Sequence, residues 1–206
     1  MNKIEMLKEY KRMLIVVDMV KGFVDVGPMA DKYIDTITPK IIKLIEDFGN
    51  DAIAFIKDNH EANALEFKKF PAHCVIGTEE ADLVDELIPF EQNGLVYPKN
   101  STSTMFAPNF MRDIDAMKNL REIVVTGCCT DICVMNLVIP LINYLDQINR
   151  NVKVIVPKNA VETYDAEWHK RDEWNEMAFR FMTQAGAILV ENNEELKEKE
   201  LELKLR

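Results

Sequence analysis

The stretch Ile123 to Val134, which reads I-V-V-T-G-C-C-T-D-I-C-V, decides the fold and the candidate chemistry of this chain. Its apolar start predicts a short buried strand. Thr130 and Asp131 are good N-caps for a long apolar helix that runs to about Tyr144. In α/β proteins, a tight turn between a strand and a helix lies at the carboxyl end of the strand, where ligands bind.

The stretch carries three cysteines, two in the turn and one, Cys133, in the first turn of the predicted helix. The helix dipole and the unpaired backbone N–H groups there favour a thiolate, so we expect a lowered pKa for the Cys133 thiol. The same N–H groups could hold an oxyanion. The alternative is that Cys128, Cys129 and Cys133 are small buried hydrophobes, as free cysteines usually are.

An acid and a base follow two other apolar runs. Asp18 comes directly after the run 13–17, and Lys99 comes directly after the run 94–98. The carboxyl ends of parallel strands meet at one edge of a sheet, so the carboxylate, the ammonium and the thiol are predicted to converge. Taken singly, Asp18 could cap its loop and Lys99 could be a solvated surface charge.

A second group of polar residues lies in a long segment, 57–94, that has little strand character. Asp58 and His60 follow a predicted strand, and His73 is the second of only three histidines in the chain. A loop of this length inside a compact domain is usually functional. Imidazole and carboxylate ligands suit Zn²⁺, Mn²⁺ or Fe²⁺. The alternative is a solvated polar loop; the third histidine, His169, is expected at the surface.

Apolar runs alternate with amphipathic segments along the chain, which predicts parallel βαβ units in an α/β fold with a doubly wound sheet. Helices are expected near 81–87 and over 165–185. The length fits a single domain, 1–206, with a core of about 13–190 and a charged C-terminal tail, 191–206, that is either an exposed helix or a frayed end.

Composition narrows the function classes. The formal net charge of −10 argues against a nucleic-acid partner. No stretch is long and apolar enough to span a membrane, and the charged N-terminus lacks a signal-peptide core. Four cysteines without a secretion signal favour reduced thiols in the cytoplasm.

Five motifs, taken together, resemble the isochorismatase-like cysteine hydrolases, and among these the nicotinamidases. They are V-V-D-M-V-K-G-F (16–23), D-N-H (58–60), F-P-A-H-C-V-I-G-T (70–78), Y-P-K (97–99) and T-G-C-C-T-D-I-C-V (126–134). They come in the family's order within 13–190. The resemblance implies a three-layer α/β/α fold with a mostly parallel sheet of about six strands. Family members often self-associate, so a homo-oligomer is a further expectation.

The resemblance also implies catalytic roles. Cys133 matches the nucleophile, Asp18 the general base, and Lys99 the cation that favours thiolate and carboxylate. It implies a cis peptide between Cys128 and Cys129, and an oxyanion hole made by the N–H groups of Cys129 and Cys133. Cys74 is interpreted as structural.

The metal ligands implied by the resemblance are Asp58, His60 and His73. Some family members add a ligand seven residues before the last histidine, where this chain has Glu66; Glu61 is the weaker choice. The expected cofactor is therefore a divalent ion, Zn²⁺ first, with Mn²⁺ or Fe²⁺ as alternatives. Its implied role is to orient a substrate's pyridine nitrogen.

The substrate pocket is expected to include Phe23 and Phe70. Phe70 stands where nicotinamidases often carry tryptophan, and Val20 replaces a residue that is often polar. The expected reaction is the hydrolysis of a small amide, nicotinamide, to nicotinate and ammonia. The alternatives are another small amide, an enol ether, or a catalytically silent binding member of the family.

Overall fold

A parallel seven-stranded sheet forms the centre of the molecule. The computed structural model describes residues 2–204, with side chains as far as residue 198. The strands are β1 Arg12–Val17, β2 Ala52–Asp58, β3 Leu95–Lys99, β4 Glu122–Cys128, β5 Lys153–Pro157, β6 Val161–Glu162 and β7 Ile188–Val190. Six strands follow the order β3-β2-β1-β4-β5-β7, and the short β6 pairs with the end of β4. The predicted, mostly parallel sheet is confirmed, and β6 is the strand that the sequence did not predict.

Helices cover both faces of the sheet. They are α1 Lys3–Glu9, α2 Lys21–Val24, α3 Thr38–Phe48, α4 Ile88–Glu91, α5 Phe110–Ala116, α6 Met135–Gln147, α7 Arg171–Gln184 and α8 Asn193–Lys204. Alternate residues of β1 point into two apolar cores: Met13, Ile15 and Val17 into one, Leu14 and Val16 into the other. The first core is shared with α5, α6 and α7, and the second with α3. The result is the expected three-layer α/β/α arrangement.

Two expected helices differ from the structure. The helix predicted near 81–87 is wrong: Leu83 forms an isolated antiparallel bridge with Val20, and a turn follows in which the Leu87 N–H donates to the Val84 carbonyl at 2.9 Å. The apolar side chains of the segment are nevertheless buried. The helix predicted from residue 165 begins only at Arg171. The preceding residues form a tight turn in which Ala166 and His169 exchange backbone hydrogen bonds of 2.9 and 3.1 Å.

The charged tail is anchored at its start. Leu196 is buried in the core, Asn193 donates a hydrogen bond of 3.1 Å to the Lys40 carbonyl, and Lys197 pairs with Asp47 at 2.7 Å. Residues 205 and 206, the end of the expected tail, lie outside the described residues. None of the described helices combines the length and hydrophobicity needed to cross a bilayer.

Candidate active site and metal centre

The candidate residues lie at the carboxyl ends of four neighbouring strands. Asp18 directly follows β1, Asp58 and Lys99 end β2 and β3 as register partners, and Cys128 ends β4. Because β3, β2, β1 and β4 are adjacent and parallel, their ends meet at one edge of the sheet. The sequence prediction that these groups share an edge is confirmed.

Lys99 is the centre of the cluster. Its Nζ lies 2.8 Å from Asp18 Oδ2, contacts Asp58 Oδ1, and lies 3.8 Å from Cys133 Sγ. All four side chains are buried. One ammonium therefore faces two carboxylates and a thiol away from solvent.

The backbone around Asp18 is strained and closely packed. Asp18 has a φ of 48°, a conformation that costs a non-glycine residue about 1–3 kcal/mol and persists only where the fold enforces it. Its N–H donates to the Ile56 carbonyl at 3.0 Å, and the Cys128 thiol donates to its carbonyl at 3.1 Å. The neighbouring β4 residue, Gly127, has a φ of 106°, and a Cβ there would lie 2.0 Å from the Val17 oxygen.

The turn after β4 carries the candidate nucleophile. A cis peptide bond joins Cys128 and Cys129, as the resemblance implied. Residues 130–134 then form a single π-helical turn, in which the Cys129 carbonyl accepts hydrogen bonds of 3.1 Å from the N–H groups of Ile132 and Val134. The predicted N-cap role of Thr130 and Asp131 is wrong: the long helix begins only at Met135, and the Asp131 oxygens contact Thr163 and His169 instead of a helix N–H group.

The two buried carboxyl groups of the cluster have pKa values shifted in opposite directions. Burial, with the nearby Asp58, raises the pKa of Asp18 to about 7 against the opposing effect of Lys99. Burial also raises the pKa of Asp58, but Lys99 and two histidines outweigh it and hold that pKa well below its usual range. Burial raises the pKa of Cys133 well above its usual value, and Lys99 only partly offsets it. The predicted lowering of the thiol pKa is therefore wrong.

Two histidines are oriented by their Nδ1 atoms. His73 Nδ1 lies 2.8 Å from the Pro71 carbonyl, which can only accept. His60 Nδ1 lies 3.2 Å from Asn100 Oδ1, which also accepts the Glu61 N–H. Both Nδ1 atoms are therefore donors, which leaves the Nε2 lone pairs free to bind a cation.

The donor set fits a divalent cation. The two Nε2 atoms lie 3.4 and 3.6 Å from Asp58 Oδ2, and the ligand atoms of Asp58, His60 and His73 lie within 4.8 Å of one another. His60 Nε2 is buried and has no hydrogen-bond partner among the described residues. Two lone pairs beside a carboxylate repel each other unless positive charge lies between them. Burial lowers the pKa of His73, but the effect of Asp58 is in the opposite direction and the pKa is raised overall. A positive charge is therefore favoured beside the Asp58 carboxylate.

Glu66 lies beside this cluster rather than in it. Thr102 Oγ1 donates to its Oε1, while its Oε2 is buried without a hydrogen-bond partner among the described residues. Glu66 lines the same cavity as Asp58 and His73. Its role as a ligand stays a prediction.

A cavity of about 660 Å³ is lined by Cys133 of the catalytic cluster and by Asp58 and His73 of the metal cluster. Phe23 and Phe70 line it, with ring centroids 5.5 and 6.4 Å from the His73 ring. The sequence did not single out Tyr164 and Trp168, which form another part of the wall. Other lining residues include Met29, Asp31, Lys69, Thr102, Cys129, Ile132 and Cys133. Val20 is fully buried and is absent from this lining.

The prediction that His169 lies at the surface is wrong. Its ring is stacked between Tyr164, at 3.9 Å between centroids, and Trp174, at 4.5 Å. Its Nε2 lies 3.0 Å from Asp131 Oδ2. The surrounding charged sequence E-W-H-K-R (167–171) suggested a solvated segment, but Tyr164 and Trp174, on either side of that segment in sequence, bury the histidine.

Comparison with known proteins places the molecule among hydrolase folds of the isochorismatase type. The family model described as the isochorismatase domain matches residues 12–194, and the chain belongs to the isochorismatase family. Nicotinamidase 1 of Arabidopsis thaliana is 31% identical over 172 residues, which cover 73% of this chain and 66% of that protein.

Solved structures have the same fold. The pyrazinamidase/nicotinamidase of Streptococcus mutans superposes with a TM-score of 0.74 at 24% identity, covering 87% of this chain and 100% of that one. The pyrazinamidase of Pyrococcus horikoshii in complex with zinc superposes with a TM-score of 0.68 at 22% identity, covering 87% and 98%.

Proposed function

We propose that the chain is a metal-containing cysteine amidohydrolase that converts nicotinamide to nicotinate and ammonia. The observation that carries the proposal is that Lys99 contacts Asp18 and lies beside Cys133. Cys133 lines one cavity together with Asp58 and His73 of the histidine–carboxylate cluster. The family membership and the relative named nicotinamidase support an amidohydrolase.

Cys133 is the proposed nucleophile and Asp18 its base. A pKa of about 7 lets Asp18 accept the thiol proton near neutral pH and return it to the leaving ammonia. The thiolate attacks the amide carbon, the C–N bond breaks, and a thioester remains on Cys133. Water, deprotonated by Asp18, then hydrolyses the thioester to the carboxylic acid and the free thiol.

Lys99 stabilises the charged states of this cycle. Its ammonium contacts Asp18 and lies 3.8 Å from the thiol, so it favours the thiolate during proton transfer. The N–H groups of Cys129 and Cys133 are the proposed donors to the oxyanion of the tetrahedral intermediates. Each such donor is worth about 10²–10³ in kcat in enzymes that use one.

Asp58, His60 and His73 would hold the metal, with Glu66 as a further ligand. Zinc is the first candidate, because imidazole and carboxylate suit it and because the Pyrococcus horikoshii structure contains it. When bound, the ion supplies a Lewis-acid contact for a ring nitrogen of the substrate. Asn100 and the Pro71 carbonyl hold the two imidazoles in the orientation that this requires.

Aromatic side chains would hold the ring of the substrate. Phe23, Phe70 and Tyr164 line the cavity, and such rings pack on a pyridine by offset or edge-on stacking. A larger amide is the second candidate, because 660 Å³ lies within the range of pockets that hold drug-sized ligands.

Substrate comparison tests the proposal. Benzamide has the shape of nicotinamide without the ring nitrogen, and an unmade polar contact at a buried site costs about 1–3 kcal/mol. We expect kcat/KM for benzamide to be lower by roughly tenfold to a hundredfold, since about 1.4 kcal/mol is a factor of ten. If benzamide matches nicotinamide, or if an aliphatic amide exceeds both, nicotinamide is not the substrate.

Thiol replacement tests the mechanism. Cys133→Ala should abolish ammonia release without lowering the melting temperature by more than a few degrees. Cys74→Ala is the matched control, because Cys74 is also buried and is interpreted as structural. Turnover that survives Cys133→Ala would remove the proposed nucleophile.

A further inference from the structure

A buried hydrogen-bond network joins the turn that carries Cys133 to the cavity wall. Asp131 lies in this turn, two residues before Cys133. Its Oδ1 accepts from Thr163 Oγ1 at 2.6 Å, and its Oδ2 lies 3.0 Å from His169 Nε2. Asp131 is 7% exposed and His169 1% exposed, so water does not replace these contacts.

On its other side, His169 contacts the aromatic wall of the cavity, which is formed by Tyr164 and Trp168. Its Nδ1 lies 3.0 Å from the Tyr164 carbonyl, and its ring stacks on the Tyr164 ring. Trp168 precedes it at the tip of the tight turn between Ala166 and His169. Tyr164 and Trp168 line the cavity. The His169 imidazole therefore contacts both the turn that carries Cys133 and the aromatic wall of the cavity.

The chemistry of the contacts makes the link specific. The Tyr164 carbonyl and the Asp131 carboxylate are both acceptors, so the two hydrogen bonds require protons on both ring nitrogens or one on Asp131. A side chain that cannot donate would leave the buried Asp131 oxygen unsatisfied, and such a group relaxes towards any available donor. Since Asp131 belongs to the turn, its relaxation would move Cys133.

We infer that His169, Asp131 and Thr163 are positioning residues that hold the Cys133 thiol in register with the aromatic wall of the cavity. None of the three is assigned contact with the substrate. The kinetic test of this inference rests on the proposed function, because it uses nicotinamide as the substrate. The position of the Cys133 thiol does not depend on that function. Displacement of a reacting group by about 1 Å can cost roughly a hundredfold in rate.

A contact that does not involve His169 also anchors the segment that forms the wall. Arg171 donates to the Thr163 carbonyl at 3.0 Å and to Asp31 at 2.7 Å. This contact does not pass through His169. The effect of a His169 variant can therefore be separated from unfolding of the wall.

Two His169 variants divide stacking from hydrogen bonding. His169→Phe keeps an aromatic ring between Tyr164 and Trp174 and removes both donors. His169→Gln removes the ring but offers an amide N–H to Asp131. Tyr144→Phe is the matched control, because it removes one hydrogen bond of 2.6 Å, to Asp115, outside the cavity lining.

The readouts are kcat and KM for nicotinamide, the rate of Cys133 alkylation by iodoacetamide, and the melting temperature. For His169→Phe we expect kcat and the alkylation rate to fall by roughly tenfold to a hundredfold, with a smaller change in KM. The kcat and the alkylation rate of His169→Gln should stay within about threefold of the wild-type values, because the amide N–H replaces the donor to Asp131. Tyr144→Phe should be indistinguishable from the wild type in both.

A purely structural role would give a different pattern. The inference is overturned if His169→Phe melts at a lower temperature but keeps the wild-type kcat and alkylation rate. It is also overturned if His169→Gln is as impaired as His169→Phe at equal stability. Should His169→Phe not fold, Thr163→Val takes its place and is expected to lower the alkylation rate severalfold. If the wild type does not hydrolyse nicotinamide, the proposed function fails, and the alkylation ratios alone decide this inference.

Discussion

Replacement of Lys99 by methionine is the sharpest test of the buried charge cluster. Methionine fills a similar volume without the charge, so two carboxylates lose their common partner. Lys99 Nζ lies 2.8 Å from Asp18 Oδ2, and opposite charges at that distance attract by about 6 kcal/mol at an effective dielectric constant of about 20. Part of this is offset by the cost of burying the ions, and breaking a buried pair typically costs about 3–5 kcal/mol.

We therefore expect Lys99→Met to lower the free energy of unfolding by about 3–5 kcal/mol at pH 8. The loss should be smaller at pH 6. Asp18 has a raised pKa of about 7 in the folded state, so its proton is bound more tightly there than in the unfolded chain. A raised carboxyl pKa makes stability fall as pH rises from the unfolded value towards the folded one. Without Lys99 that pKa rises further, and the fall continues above pH 7.

Urea unfolding at pH 6 and pH 8 measures both effects. Lys57→Met is the matched control, because Lys57 pairs with Glu91 at 2.9 Å near the surface, and such a pair is worth about 0–1 kcal/mol. The reasoning is refuted if Lys99→Met costs no more than Lys57→Met, or if its cost is larger at pH 6 than at pH 8.

Three further outcomes follow from the site and its supports. First, kcat/KM should fall about tenfold per pH unit below pH 7, because protonated Asp18 cannot act as a base; a rate that stays flat down to pH 5 would exclude this role. Second, His60→Ala and His73→Ala should each lose the metal and raise KM strongly; elemental analysis that finds no metal in active wild-type enzyme would contradict this. Third, Gly127→Ala should lower the melting temperature by many degrees, because its Cβ would lie 2.0 Å from the Val17 oxygen; an unchanged melting temperature would show that β1 and β4 can separate without cost.

The sequence predicted the catalytic edge because its signals are local. The apolar runs that form β1 and β3 are each followed by one charged residue, Asp18 and Lys99, and parallel strands bring such residues together. The metal cluster was predicted in the same way for Asp58 and His60. His73 was singled out as one of only three histidines in the chain, and the resemblance implied the same ligand set. The structure shows why it lies near the other two: backbone hydrogen bonds join His60 to the segment that follows His73.

What the sequence did not predict depends on contacts between distant segments. The pKa of Cys133 is raised by burial and by the carboxylates of Asp18 and Asp58, with an opposing effect from Lys99, and all of these depend on segments distant in sequence. The burial of His169 depends on Tyr164, Trp174 and Asp131, and Asp131 lies far away in sequence. Charge pattern alone made this segment resemble a solvated helix start.

The most direct test of the central claim is to trap the acyl-enzyme during turnover. Wild-type enzyme that holds its metal is mixed with excess nicotinamide, quenched in acid, digested and analysed by mass spectrometry. The account predicts one nicotinoyl group as a thioester on Cys133, and no such group in Cys133→Ala. Ammonia release without an adduct on Cys133, or with the adduct on Cys128 or Cys129, would contradict it.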